Sequence, residues 1–223
     1  SDATFDLPME LVTKYNIAVV PMAFNLDDKE ILHYPDERNM SNEAFYQALK
    51  DGKMSTTSQI NPMTYVEIFT PYLEKGEDIL YIAFTSGLSG TYQSALLAKD
   101  MLLEDFPERT IEVVDSLCAS AGQGLLVHYA ALKREEGFSI EELYEEVLAI
   151  KDKIHHQVTV DDLFFLKRGG RLSGTSAVVG SLMNIKPLMH VANDGKLYVT
   201  GKARGRKAAI KHLVDSVGEK GVD

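Results

Sequence analysis

The sequence predicts an α/β fold: a three-layer domain with a mainly parallel sheet, followed by a second, smaller α+β domain. Three observations lead there. Short β-branched runs alternate with helical patterns through the first two thirds of the chain, as in helix-covered parallel sheets. The alternation stops near residue 155 and gives way to a hairpin and isolated helical stretches. The charge also changes sign. Residues 1–150 carry 10 basic and 26 acidic side chains, a net of −16, while residues 151–223 carry 13 and 7, a net of +6. The expected domains are 1–155 and 156–223.

The elements follow in order. Ile17–Phe24 is an apolar run of strand length. Ser41 precedes Asn42–Leu49 as a helix cap, and Asn61-Pro62 opens a periodic stretch to Leu73. Ile79–Thr85 has a buried-strand pattern and leads, through Ser86–Gly90, into an Ala/Leu-rich helix ending near Leu103. Ile111–Val114 is a further strand, and Ala119–Lys133 and Ile140–Ile154 read as helices. In the second part, Gln157–Val160 is a short strand, Asp161–Lys167 a helical turn, and Ser176–Met183 a helix. Pro187–Val191 and Lys196–Lys202 flank Asn193-Asp194-Gly195, a strong hairpin turn. Ala208–Val217 closes with a helix.

Composition excludes several classes. The apolar content is too high for a disordered chain. The single cysteine, Cys118, rules out a disulfide framework or a multi-cysteine metal site. The expected setting is the cytoplasm, with no metal and no cofactor. His155 and His156 are adjacent and would face opposite sides of a strand, a poor metal pair. From Lys167 to Lys211 there are ten basic residues and one acid, Asp194. That stretch reads either as a solvated face or as a surface for an anionic partner.

Two segments between elements are rich in hydroxyls: Ser55-Thr56-Thr57-Ser58-Gln59 and Ser86-Gly87-Leu88-Ser89-Gly90-Thr91. Hydroxyls and free backbone N–H groups at a helix start favour a carboxylate or phosphate. They serve equally as helix caps. The second segment is no P-loop, since the Gly-Lys-Ser/Thr ending is missing. It is an imperfect nucleophile elbow, because Thr91 stands where that motif has its second glycine.

These segments, with five others in the same order, resemble the DegV family of bacterial fatty-acid-binding proteins. The resemblance is carried by Ser1-Asp2-Ala3-Thr4-Phe5-Asp6-Leu7-Pro8, by Thr57-Ser58-Gln59, and by Ser86–Thr91 with Tyr92-Gln93-Ser94-Ala95. Val114-Asp115-Ser116, Leu166-Lys167-Arg168-Gly169-Gly170-Arg171-Leu172-Ser173, Asn184-Ile185-Lys186-Pro187 and Lys202-Ala203-Arg204-Gly205 complete it. It implies a non-catalytic carrier with a ligand tunnel between its domains. The carboxylate of a long-chain fatty acid would sit on Thr57 and Ser89, with Ser58 and Thr91 as neighbours. It also implies presentation of the acid to a separate fatty acid kinase, with Arg171 and Arg204 as docking residues. The family's first strand and its closing histidine- and glycine-rich segment have no counterpart here, so the resemblance implies a piece of a longer protein. Two alternatives stay open at this point. One is a serine hydrolase or acyltransferase using Ser89. The other is a nucleic-acid-binding protein using Lys167–Lys211.

Overall fold

The computed structural model describes residues 1–172 and 184–220. The chain forms two compact units, Ser1–Lys151 and Asp152–Asp223. The sequence reading sets the division at 155.

The first unit is built around strands β4 (Ile79–Ala83) and β5 (Ile111–Asp115), which pair in parallel from Ile79↔Ile111 to Ala83↔Asp115. Alternation along these strands sorts their side chains by face. Ile79, Tyr81, Ala83, Ile111 and Val113 join one apolar cluster with α3 (Pro62–Leu73) and α4 (Thr91–Asp105). Tyr65, Phe69 and Tyr81 meet there edge to face, with ring centroids 5.1–5.6 Å apart. Buried Ile82 and Val114 lie on the opposite face, where α5 (Ser120–Glu135) and α6 (Ile140–Lys151) pack. Helices therefore cover both faces of the parallel pair.

A second sheet is antiparallel, in the order β2–β1–β3. Strands β1 (Met22–Leu26) and β2 (Lys29–His33) are joined at Asp27-Asp28, whose φ angles are 48° and 62°. Two positive φ values in a two-residue loop define the mirror-image turn that matches strand twist. Strand β3 (Ser55–Thr57) pairs with the other edge of β1. Helix α1 (Met9–Lys14) precedes this sheet. Helix α2 (Asn42–Lys50) is capped by Ser41, whose side chain accepts from the Ala44 N–H at 3.1 Å.

The α/β class holds, but the parallel part is the β4–β5 pair and the β2–β1–β3 sheet beside it is antiparallel. The strand expected over 17–24 begins at Met22. Pro21 supplies no N–H to a ladder, and upstream of it only Val20 bridges, to Asp2. Ser55–Thr57, expected as loop, is an edge strand.

In the second unit, β6 (Ile185–Val191) and β7 (Leu197–Arg204) form the expected hairpin. Asp194 shapes its turn by accepting from the Lys196 N–H at 3.1 Å and the Tyr198 hydroxyl at 2.8 Å. Helix α8 (Arg206–Lys220) packs on the hairpin, with Leu188, Met189, Leu197 and Ala209 buried. Helix α7 spans Phe164–Arg168. The strand expected over 157–160 is reduced to a bridge from Val158 to Met189. The helix expected over 176–183 lies outside the described residues, as does Ser173.

One close approach fixes α5 against the N-terminal turn at Ala3–Phe5. A Cβ on Gly124 would sit 2.3 Å from the Phe5 carbonyl oxygen. Backbone cannot give way as a side-chain tip can. Gly124→Ala is expected to lower unfolding stability by about 1–3 kcal/mol, as overpacking does, in urea denaturation followed by circular dichroism.

Candidate functional site

The segment between β4 and α4 turns tightly and uses its own amides to do so. The Ser86 N–H donates to Asp115 Oδ1 at 3.0 Å, and the Gly87 N–H to Thr85 Oγ1 at 3.1 Å. The Leu88 and Ser89 N–H groups both donate to the Thr85 carbonyl, at 3.2 and 3.3 Å. The amides of Ser86 to Ser89 are thus engaged, whereas among the described residues no such bond holds the Gly90, Tyr92 and Gln93 N–H groups at the start of α4, which stay available beside the hydroxyls.

Those hydroxyls form a pair. Ser89 Oγ lies 2.8 Å from Thr91 Oγ1 and accepts the Thr91 N–H at 3.3 Å. Thr91 is fully buried, and its Oγ1 accepts from the Ile60 N–H at 3.5 Å. Either hydroxyl can donate in this pair, and when Thr91 donates, the half-buried Ser89 has its own proton for an outside acceptor. A hydroxyl donating to a carboxylate is a charge-assisted bond. Among the described residues, both hydrogen-bond partners of Ser89 Oγ belong to Thr91, and no histidine reaches it. A serine nucleophile needs an adjacent base.

The first hydroxyl segment is attached to the second through Gln59 and Ile60. Gln59 Nε2 donates to Ser94 Oγ at 3.3 Å, and its side chain lies over Gly90, where a Cβ would meet Oε1 at 2.0 Å. Thr57 ends β3 opposite Phe24 and is exposed, as is Ser58. The structure therefore joins the two segments at Ile60–Thr91 and Gln59–Ser94.

Thr57 stands on the wall of an apolar cavity of about 520 Å³. One wall is the face of the antiparallel sheet carrying Met22, Phe24 and Thr57. The rest includes Phe45 of α2, Met40, Ala3, Thr4 and Asp6-Leu7-Pro8. The volume falls within the roughly 300–1,000 Å³ of small-molecule clefts. Ser89 and Thr91 are not on this wall.

A buried polar chain that the sequence reading left unassigned lies behind both features. Asp2 is fully buried. Its Oδ2 accepts from the Tyr81 hydroxyl and the Phe84 N–H, each at 2.9 Å. Its Oδ1 accepts from the Thr4 hydroxyl, the Thr4 N–H at 3.2 Å and Gln123 Nε2 at 3.2 Å. Tyr81 in turn meets the Tyr65 hydroxyl at 2.8 Å, and Tyr65 lies 3.4 Å from the Thr91 carbonyl. Burial pushes the phenols of Tyr65 and Tyr81 well above their ordinary range. The only signal in the sequence was the acid in the opening motif, which names no partner 79 residues away.

In the second unit, Arg171 is exposed and bonds the Gly169 carbonyl of its own turn. Arg204 is exposed at the end of β7. Among the described residues, Lys186 and Arg206 pair with Asp161, and Lys211 pairs with Asp215. Cys118 is buried. Among the described residues no cluster of three or more His, Cys, Asp or Glu could hold a metal ion, and no helix is long and apolar enough to cross a membrane.

These features define a mixed α/β fold with an apolar cavity edged by hydroxyls. The chain belongs to the DegV family, whose model, described as an uncharacterised protein family, matches residues 1–223. A DegV domain-containing protein of Clostridium perfringens is 44% identical over 213 residues, spanning 96% of this chain and 73% of its own length. The solved structure of a fatty-acid-binding DegV family protein from Thermus thermophilus matches with a TM-score of 0.85 and 32% identity, covering 98% of this chain and 75% of that one. The fatty acid kinase (Fak) B3 protein of Streptococcus pneumoniae, loaded with linoleic acid, matches with a TM-score of 0.79 and 27% identity, covering 92% and 70%.

Tyr81→Phe removes one of two donors to Asp2 Oδ2 and is expected to cost about 1–3 kcal/mol in urea denaturation. The raised phenol pKa values set a sign for pH. Their contribution is complete below the ordinary tyrosine pKa of about 10 and is lost as pH rises beyond it. Unfolding stability should therefore fall above about pH 10, and less steeply in Tyr81→Phe than in the parent.

Proposed function

We propose that this protein binds a long-chain fatty acid without transforming it, the carboxylate held by Thr57 and Ser89 and the tail in the apolar cavity. The observation that carries the reading is the cavity itself, apolar on most of its wall and bearing Thr57 at its sheet face. The joining of the two hydroxyl segments at Ile60–Thr91 supports Ser89 as the second donor. Ser58 and Thr91 are the neighbours, Thr91 acting by holding Ser89 Oγ in place through its hydroxyl and its N–H. The fatty-acid-binding relatives from Thermus thermophilus and Streptococcus pneumoniae support the ligand class.

Magnitudes divide the work between head and tail. Each buried methylene contributes about 0.8 kcal/mol, so ten contribute roughly 8. A hydrogen bond to a charged group contributes about 1.5–3 kcal/mol. The tail supplies most of the affinity, and the hydroxyls set orientation and select an acid over other lipids.

In this reading the protein works in the cytoplasm and presents the acid to a fatty acid kinase. Similarity to the fatty acid kinase (Fak) B3 protein of Streptococcus pneumoniae supports such a partner. Exposed Arg204, with Arg171, would face an acidic surface on it. Arg204→Glu is expected to leave fatty acid affinity unchanged and to weaken acyl-phosphate formation by an added kinase. Unchanged kinase coupling would remove Arg204 from the docking surface.

Calorimetric titration tests the binding site. Thr57→Val and Ser89→Ala should each weaken palmitic acid roughly tenfold or more, with little change for the matching fatty alcohol. Equal losses for acid and alcohol would contradict the carboxylate assignment.

A further inference from the structure

We infer that Phe24 and Phe45 form a stiff aromatic wall beside the carboxylate anchor that accepts unbranched acyl chains and rejects chains branched next to the carboxyl group. The inference rests on the reading that Thr57 holds the carboxylate, and it names which acids that site accepts.

Thr57 pairs directly with Phe24 across β1 and β3. Opposite residues on an antiparallel pair share a face, with Cβ atoms about 4.5–5.5 Å apart. On this reading the first carbons of a chain anchored on Thr57 lie against the Phe24 ring. The Phe45 ring of α2 closes on it edge to face, with centroids 5.1 Å apart at 77°. Tyr46 backs Phe45 at 5.5 Å and 68°. All three rings line the cavity.

Aromatic rings are stiff, and their edge-to-face contact has a preferred geometry. The wall changes character one pleat further along β1. Met22 lies two residues from Phe24 on the same face, roughly 6.6 Å along the strand. Its cross-strand partner there is His33. Met40 lines the same cavity. Methionine is unbranched and adapts its shape to a ligand. The cavity is thus rigid where the chain leaves the carboxylate and compliant beyond. A methyl group added at the rigid point forces overpacking, while one added at the far end meets an adaptable wall.

The test compares three ligands by calorimetry on the full chain: palmitic acid, palmitic acid with an α-methyl group, and palmitic acid with a methyl at its far end. The α-methyl acid should bind about tenfold or more weaker than the parent acid, and the far-end isomer within about threefold. Phe45→Ala should bring the α-methyl acid to within about threefold of palmitic acid, and Phe45→Leu should fall between. Circular dichroism establishes that each variant is folded, and Phe24→Leu serves if Phe45→Ala is not. Equal affinity for palmitic and α-methyl acids in the parent protein overturns the selective role of the aromatic wall and leaves the binding reading standing. Discrimination that survives the variants overturns its assignment to this pair. Failure of every acid to bind overturns the binding reading itself.

Discussion

A carboxylate removed from water is costly unless every lone pair finds a donor, and the first unit is organised around meeting that condition at Asp2. Its oxygens take donors from the N-terminal turn, from the end of β4, from Tyr81 within β4, and from Gln123 of α5. Through Tyr65 the same chain reaches α3 and the first turn of α4. Thr4, bonded to Asp2, is also part of the cavity wall. Phe84, bonded to Asp2 on the other side, begins the loop that ends at Ser89 and Thr91. One buried carboxyl group thus ties the cavity wall to the hydroxyl loop.

The loop shows a division of labour between backbone and side chains. The amides of Ser86 to Ser89 hold its shape, through Thr85 and Asp115, and those at the start of α4 are left over. Its hydroxyls are left to act outward, with buried Thr91 behind half-buried Ser89. A site made this way offers directed donors and little fixed charge. It suits a ligand whose affinity comes mainly from apolar burial and whose polar end needs orientation.

Legibility in the sequence followed the range of the interactions. Helix α3 was visible because Asn61 and Pro62 are local signals, and Asn61 does cap it at the Met63 N–H. The β6–β7 hairpin was visible because Asn193-Asp194-Gly195 encodes its own turn. The β1–β2 hairpin was not, because Asp27-Asp28 is a weaker turn signal and β2 is half polar. Thr57 and Ser89 could be singled out as candidates by residue type, position and resemblance. The Asp2–Tyr81–Tyr65 chain could not, because its partners lie far apart in sequence and each residue alone reads as ordinary. The Phe24–Phe45 contact was hidden for the same reason: it joins a strand and a helix that nothing local brings together.

The central claim is that the apolar cavity and the paired hydroxyls serve one ligand, a long-chain fatty acid. Native mass spectrometry of the purified protein, followed by mass analysis of an organic extract, tests it most directly. The account predicts a single added mass matching a long-chain fatty acid, released on denaturation and regained when palmitic acid is added to stripped protein. A folded protein that carries no such mass and gains none on adding the acid would contradict it.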